Sequence, residues 1–184
     1  MTSVRVIAGK FGGRKIDAPS FDNSRTKPMG ERIRNAVFNR VGNELEGARV
    51  LDAFAGTGAV GFEALSRGAE HVTFIERDKI AQKIIAKNMV LLGCEDDVTL
   101  VRTSVNNWIE TMTPESYDII FADPTYTDPQ LSTVEKLFGL LKPNGLMVLS
   151  YTGKGEVPTD LGVVVVDNRK YGDAVLAFYQ RESA

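Results

Sequence analysis

The chain has 184 residues, of which 43% are hydrophobic and 25% charged, and 22 Lys and Arg against 24 Asp and Glu give a formal net charge of −2. This composition is typical of one globular domain, large enough to bury roughly 70% of the surface of the unfolded chain, and it excludes a disordered chain. No run of about 18 uncharged apolar residues occurs and the first ten residues lack an apolar segment, so we expect neither a transmembrane helix nor a signal peptide.

Residues 1–46 are predicted to form a basic N-terminal extension. Two short apolar runs flank a Gly-rich stretch at residues 9–13, which indicates a small β-hairpin. Ile33, Val37 and Phe38 share one helical face, so a helix is predicted from Met29 to Val41, with Arg32 and Arg34 off that face. Residues 1–40 contain nine basic residues and three acids and carry +6, whereas the remainder carries −8. Such clustering favours a phosphate backbone as partner, and a solvated arm without a partner is the alternative.

Residues 47–184 are predicted to form the main domain, in which short apolar runs alternate with helical stretches. This alternation is typical of βαβ units and predicts an α/β fold with a mostly parallel, doubly wound sheet. The predicted strands are Arg49–Ala53, His71–Glu76, Val98–Arg102, Tyr117–Ala122 and Leu146–Tyr151. The predicted helices are Ala59–Arg67, Asp78–Leu92, Ser104–Thr111 and Gln130–Leu141. Val163–Asp167 and Ala174–Tyr179 are predicted to close the sheet as an antiparallel hairpin.

A glycine-rich loop follows the first strand of this domain. Gly56, Gly58 and Gly61 have the spacing of a dinucleotide fingerprint, and the loop precedes a helix, where open α/β sheets bind ligands. A tight turn without a ligand is the alternative interpretation.

Two acids at strand ends favour one ligand over another. Asp52 ends the strand before the loop, where a carboxylate disfavours a pyrophosphate but suits the ammonium and sulfonium of S-adenosylmethionine (SAM). Glu76 ends the next strand, where an acid is well placed to hold ribose hydroxyls. The pair therefore favours SAM over NAD.

A second polar element, Asp123-Pro124-Thr125-Tyr126, follows the fourth parallel strand. The amino group of a nucleobase is a poor nucleophile, and hydrogen bonds to Asp123 and a backbone carbonyl would aim its lone pair at an electrophile. Pro124 would stiffen the turn, and Tyr126 offers a face on which an extruded base can stack. A strand-end turn with a surface tyrosine is the alternative.

These motifs together resemble those of class I SAM-dependent amino-methyltransferases. The N-terminal stretches Arg5–Gly9, Gly12–Ile16 and Thr26–Asn39 are similar to those of RsmD-type bacterial 16S ribosomal RNA (guanine-N2)-methyltransferases, and the likeness extends over residues 4–180. The resemblance implies a Rossmann-like methyltransferase fold, SAM as methyl donor, and a guanine in 16S rRNA of the small ribosomal subunit as substrate.

The resemblance also implies roles for individual residues. The residues that would bind SAM are Asp52, Phe54, Gly56, Thr57, Gly58, Glu76 and Ser104. Those that would hold the guanine amino group are Asp123, Pro124 and Tyr126. Those that would contact rRNA are Arg5, Lys10, Arg14, Lys15, Lys27, Arg32 and Arg34, and Thr26–Arg34 would close over the cofactor.

The chain departs from the family pattern at three positions. Thr125 stands where the family motif has a second proline, which leaves the turn less rigid. Lys27 replaces the usual arginine and loses its bidentate geometry. Ser104 stands near the position of an acidic or amide residue that contacts the adenine.

Other functions remain open from the sequence alone. They are methyl transfer to another amine, such as adenine N6 in DNA or RNA, an NAD-dependent oxidoreductase, and a non-catalytic ribosome-binding module. The single cysteine, Cys94, excludes an internal disulfide or a cysteine-based zinc cluster, and His71 is the single histidine. We therefore expect no metal and a reducing, cytoplasmic location. The lack of a long apolar run predicts no membrane partner, and the size of the chain favours a monomer.

Overall fold

The computed structural model describes residues 2–20 and 29–183 and contains two sheets. A small antiparallel pair, β1 (Thr2–Arg5) and β2 (Lys15–Ala18), precedes helix α1 (Glu31–Val41). Beyond β1, the Val6 N–H donates to the Arg14 carbonyl and the Gly13 N–H donates to the Val6 carbonyl, both at 2.8 Å, whereas the N–H groups of Ile7 and Ala8 donate to Glu63 of the main domain.

The main domain is a seven-stranded sheet with helices between its strands. Its elements in chain order are β3 (Arg49–Asp52), α2 (Ala59–Ser66), β4 (His71–Ile75), α3 (Lys79–Leu92), β5 (Val98–Val101), α4 (Val105–Ile109), β6 (Tyr117–Ala122), α5 (Leu131–Leu137), β7 (Leu141–Tyr151), β8 (Val163–Tyr171) and β9 (Ala174–Arg181).

The strand order is β5-β4-β3-β6-β7-β9-β8. The first five of these strands are parallel, and β9 pairs antiparallel with both β7 and β8. The predicted α/β architecture, with five parallel strands and a terminal hairpin, is therefore confirmed. The order reverses between β3 and β6, so ligands are expected outside the carboxyl ends of these two strands.

The central strands β3 and β6 are buried on both faces, and their successive residues enter different cores, whereas the edge strand β8 is largely exposed. Val50, Ile119 and Phe121 pack with α1, α2 and α3 on one face, whereas Leu51 and Ile120 pack with α5 on the other. This alternation follows from the period of two in a strand. The first core also contains Val6, Phe11 and Ile16 of the N-terminal extension, so the two predicted segments share a core.

The largest difference from the prediction lies before β7. The sequence predicts a helix as far as Leu141 and a strand from Leu146, whereas the strand begins at Leu141 and its register with β6 shifts between Tyr117 and Ile119. Asn144 has a positive φ of 64° within this irregular stretch. Pro143, Asn144 and Gly145 are residue types typical of turns, so the sequence predicted a break where the structure has a strand that pairs with β6 through a bulge.

Across residues 2–20 and 29–183, no helix is both long and apolar enough to cross a bilayer.

Candidate active site

Three carboxyl groups lie at neighbouring strand ends beside a cavity of about 1180 Å³. Asp52 is the last residue of β3, Glu76 follows β4, and Asp123 follows β6. Because β3 pairs with both β4 and β6, with Asp52 opposite Phe74 and Phe121, Asp52 lies between the other two acids. The topology therefore brings together acids that are up to 71 residues apart in the sequence.

The glycine loop between β3 and α2 is shaped by close approaches. Gly58 has φ of 82° and precedes the first turn of α2. A Cβ atom at Gly61 would lie 2.2 Å from the ring of Phe74, so the helix can pack this closely on β4 only with glycine here. The Gly61 N–H donates to Asp52 Oδ2 at 3.0 Å, which fixes the carboxylate under the loop.

Burial disfavours the charged forms of all three acids. Asp52 is 2% exposed, and burial, with smaller contributions from Asp123 and Glu76, raises its pKa to about 7. Burial also raises the pKa of Glu76, and it raises that of Asp123 to about 6. A cationic ligand in this cavity would favour the charged form of Asp52, which both Asp123 and Glu76 repel.

Asp52, Glu76 and the glycine loop form one side of the cavity, called the donor side below because it would bind the methyl donor. Its carboxylate oxygens can accept hydrogen bonds from a nucleoside that carries a cationic group. Glu76 accepts hydrogen bonds from the Gly56 N–H and the Asp78 N–H, both at 2.7 Å. Each carboxylate oxygen of Glu76 and Asp52 has two lone pairs, so further hydrogen bonds can be accepted from ribose hydroxyls and an ammonium. The residues present therefore fit SAM.

Four of the other five residues predicted to bind SAM line the same cavity, whereas the fifth, Gly58, is not among its lining residues and is buried against Phe62 and Phe74. Phe54 is half-buried, and Ser104 is the N-cap of α4, where its hydroxyl accepts from the Asn107 N–H at 3.3 Å. Thr57 is 2% exposed, and its hydroxyl accepts from the Ala59 N–H at 3.3 Å. The cavity is lined by Phe54, Gly56, Thr57 and Ser104, together with Asp52 and Glu76.

The predicted target element, Asp123–Tyr126, lines the same cavity after β6, on the side of Asp52 away from Glu76, and is called the target side below. Asp123 is half-buried, Pro124 is buried, and Thr125 and Tyr126 are exposed, with Tyr126 at 47%. The buried hydroxyl of Ser150 on β7 forms a hydrogen bond with Asp123 that favours its charged form. Asp123 is thus an oriented acceptor at the cavity wall.

Arg34 does not lie on the surface, contrary to its predicted place in the RNA-contacting set. It is 1% exposed, because residues 34, 37, 38 and 41 share the buried face of α1. Its guanidinium donates to the carbonyls of Met29 (3.0 Å) and Arg5 (2.6 Å), and its Nε lies 3.5 Å from Glu63 Oε1. Arg34 therefore holds two segments that line the cavity instead of presenting a charge to RNA.

The other predicted RNA-contacting residues are exposed where the structure describes them. Arg5 and Lys15 face each other in the hairpin and line the cavity, with Arg5 paired to Glu31. Lys10 lies 3.8 Å from Asp97. Arg14 and Arg32 are exposed, and Lys27 lies outside the described residues.

Three polar residues that position the site were missed by the sequence analysis. Glu63 is fully buried in α2 and accepts from the Ile7 N–H (2.8 Å) and the Ala8 N–H (3.1 Å). Asn88 of α3 is fully buried and pairs with both backbone groups of Asp17 (2.8 and 3.0 Å). Ser150 is the third. A buried polar side chain in an apolar element is the one available signal, and it does not identify the partner.

The cysteine and the histidine lie apart from the cavity. Cys94 is buried, and burial raises the pKa of its thiol to about 11, so the thiolate is disfavoured. His71 Nε2 lies 2.8 Å from the Thr99 hydroxyl at the amino ends of β4 and β5. Among the described residues, no group of three or more His, Cys, Asp or Glu side chains is arranged to hold a metal ion.

Comparisons with known proteins agree on one family. The family model described as "Conserved hypothetical protein 95" matches residues 4–180. The Ribosomal RNA small subunit methyltransferase D of Escherichia coli K12 is 30% identical over 188 residues, covering 98% of this chain and 91% of the relative. A putative rRNA methyltransferase of Bacillus subtilis 168, YlbH, is 29% identical and covers 97% of this chain and 99% of its own.

A solved structure of a putative methyltransferase from Escherichia coli, yhhF, superposes with a TM-score of 0.86 at 27% identity over the whole of both chains. The Rossmann-like fold of SAM-dependent methyltransferases is therefore confirmed.

Proposed function

Because the chain belongs to the RsmD family, whose model is described as "Conserved hypothetical protein 95", we propose that it methylates ribosomal RNA of the small subunit with SAM as cofactor, at the exocyclic N2 of a guanine. The proposal takes its rRNA substrate from relatives named for that activity. Its choice of an amino group rests on the chemistry of the site.

The observation that carries the proposal is the adjacency of Asp52 and Asp123 at the tips of two hydrogen-bonded strands. Asp52 offers a buried negative charge for the cationic methionine end of the cofactor, and Asp123 offers acceptors for an amine. Since both line the same cavity, donor and acceptor groups can meet within it. Methyl transfer between groups held this way depends mainly on positioning.

Each residue has a defined task in this mechanism. SAM supplies an electrophilic methyl group on a sulfonium. Asp123 Oδ accepts one N–H of the guanine amino group, and the carbonyl of Asp123 or Pro124 accepts the other, so that the nitrogen lone pair points at the methyl carbon. As the N–C bond forms and the S–C bond breaks, the nitrogen becomes acidic, and its proton passes to Asp123 or to water. The face of Tyr126 stacks the extruded base.

The N-terminal extension would hold the RNA. Arg5 and Lys15 are exposed at the cavity rim, and Arg14 and Arg32 are exposed on the same extension. Their charges can neutralise phosphates next to the extruded guanine. Arg34 is excluded from this set because it is buried.

Mass spectrometry of 16S rRNA tests the proposal. Nucleosides of 16S rRNA from a strain lacking the protein should contain one N2-methylguanine fewer than those of the parent, and the gene supplied in trans should restore it. Loss of N6-methyladenine instead would redirect the proposal to another amine. Identical modification in both strains would refute it.

A further inference from the structure

Helix α3 is a basic element within the acidic part of the chain. Outside residues 1–40 the chain carries −8, yet residues 79–92 contain Lys79, Lys83 and Lys87 and no acid. A spacing of four residues places the three lysines along one side of the helix. All three are exposed, and the opposite side, with Ile84, Ile85 and Leu92, packs in the core.

The lysine row is continuous with the N-terminal hairpin. Strand β2 lies along α3, because Asn88 bonds both backbone groups of Asp17 and the Arg14 guanidinium donates to the Leu91 carbonyl at 2.6 Å. Lys87 Nζ lies 2.5 Å from Asp17 Oδ2. The row therefore extends the basic surface of the hairpin along the helix.

The other end of the row reaches the cavity. Asp78 caps α3 by accepting from the N–H groups of Ile80 and Ala81, and it also lines the cavity beside Glu76. Lys79 follows directly, and Lys83 lies one turn further along. Within the described residues, no ion pair involves Lys79 or Lys83, so their charges are available to a ligand.

We infer that Lys79 and Lys83 of α3 bind phosphates of the RNA backbone, and that this surface, continued to the hairpin by Lys87 in its pair with Asp17, guides the RNA towards the cavity mouth. From Lys79 to Lys87 the helix rises about 12 Å, the axial length of about three or four phosphates on one strand. The inference rests on the proposed RNA substrate, and it adds a binding surface outside the N-terminal extension.

The test compares two charge-matched double variants. Lys79→Gln with Lys83→Gln removes two charges from the row. Arg49→Gln with Lys142→Gln removes two charges from the amino ends of β3 and β7, away from the cavity. Filter binding to small ribosomal subunits and to protein-free 16S rRNA is measured between 50 and 300 mM salt, which spans about a 10³-fold change for a protein with several phosphate contacts.

The α3 variant should bind both probes about tenfold more weakly at 0.1 M salt, and the slope of log affinity against log salt should fall by about 1.4 to 1.8, as expected for two lost phosphate contacts. Its SAM affinity, measured by calorimetry, should match that of the wild type, which shows that the variant is folded.

Three outcomes would overturn the inference. If the α3 variant behaves like the control while Arg14→Gln with Lys15→Gln weakens binding, the row is not a contact but the proposed function stands. If binding to subunits falls and binding to free 16S rRNA does not, the row contacts a ribosomal protein instead. If the wild type binds neither probe in a salt-dependent manner, the proposed function fails as well.

Discussion

The two sides of the cavity differ in how firmly they are held. On the donor side, residues 52–61 are buried or half-buried, and their N–H groups are bonded: Ala53 to Phe121, Ala55 to Ile75, and Gly61 to Asp52. On the target side, residues 125–128 are exposed, with one backbone bond, Asp128 to Thr125, among them. The donor side is therefore pre-organised, and the target side depends on Asp123 and Pro124 for its shape.

We therefore expect substitutions on the two sides to impair different steps, either methyl transfer or cofactor binding. Removing an acceptor from the target side should abolish transfer and leave the donor bound. Removing charge from the donor side should weaken cofactor binding first. Separate measurements of SAM affinity and of methyl transfer can therefore assign each residue to its side.

The largest effect is expected for Asp123→Ala. Without the side-chain acceptor, the amino group is no longer aimed, and methyl transfer to small subunits should fall by at least about 10³-fold. SAM affinity measured by calorimetry should change by less than about threefold, because a buried repulsive charge is removed without loss of a donor-side contact. A radiolabelled-methyl assay provides the turnover.

Asp123→Asn sharpens this experiment. Because the pKa of Asp123 is about 6, turnover of the wild type should decline as pH falls through 6. The asparagine amide keeps an acceptor oxygen but does not titrate, so Asp123→Asn should retain measurable turnover without this decline. Near-normal turnover in Asp123→Ala would show that Asp123 does not hold the amino group.

The next largest effect is expected for Asp52→Asn. The amide can still accept from the Gly61 N–H, but it no longer attracts a cation, so SAM affinity at pH 8 should fall by about 10- to 100-fold, as for the loss of one charged hydrogen bond. Calorimetry measures the affinity, and Asp118→Asn, at the amino end of β6, is the matched control.

The pH dependence of cofactor binding follows from the same group. Burial raises the pKa of Asp52 to about 7, so the free site is increasingly protonated as pH falls through 7. A bound cation favours the carboxylate, and SAM affinity should therefore weaken towards lower pH, by up to about tenfold per unit. Affinity that is flat from pH 8 to pH 6 in the wild type would remove Asp52 from the cofactor site.

Without cofactor, the stability of the folded state should change with pH in the opposite direction to SAM affinity. Because the pKa of Asp52 is raised above its unfolded value of 3.8, its contribution to stability is fully present below that value and is lost as pH rises towards 7. Cofactor binding at pH 8 should therefore stabilise the protein more than it does at pH 6.

The sequence predicted the strand-end acids because their position depends on topology alone. Once βα alternation implies a parallel sheet, the residues after successive strands must share one edge, and Asp52, Glu76 and Asp123 are such residues. The glycine loop was recognisable for a different reason: its glycines have a fixed spacing in the sequence, and the structure requires glycine at position 61 because a Cβ there would clash with Phe74 of β4.

The positioning residues could not be predicted, because their partners are distant in sequence. Glu63 bonds backbone groups 55 and 56 residues away, and Asn88 bonds Asp17, 71 residues away. Arg34 was placed off the apolar face of α1 because that face was defined by Ile33, Val37 and Phe38, whereas the buried face is formed by residues 34, 37, 38 and 41. A charge on an apolar face indicates an internal partner, and here that partner is Glu63.

The smallest effect is expected for Ser150→Ala, which changes the target side without touching its substrate contacts. In the register of β6 and β7, Ala122 faces Leu149, so Ser150 lies next to Asp123, and its hydrogen bond favours the charged carboxylate. Removing the hydroxyl should raise the pKa of Asp123 above about 6 and move the acidic limb of the turnover profile up by about one pH unit. Turnover should then fall several-fold at pH 6.5 and little at pH 8.5.

Ser150→Thr separates this role from simple packing. It keeps the hydroxyl and adds a methyl group, so it should restore the wild-type profile if the hydrogen bond is what matters. A uniform loss of turnover at every pH in Ser150→Ala would instead mean that the serine fills space between β7 and β9. In that case packing would shape the target side, as burial shapes the donor side. The two sides would then differ only in the exposure of residues 125–128.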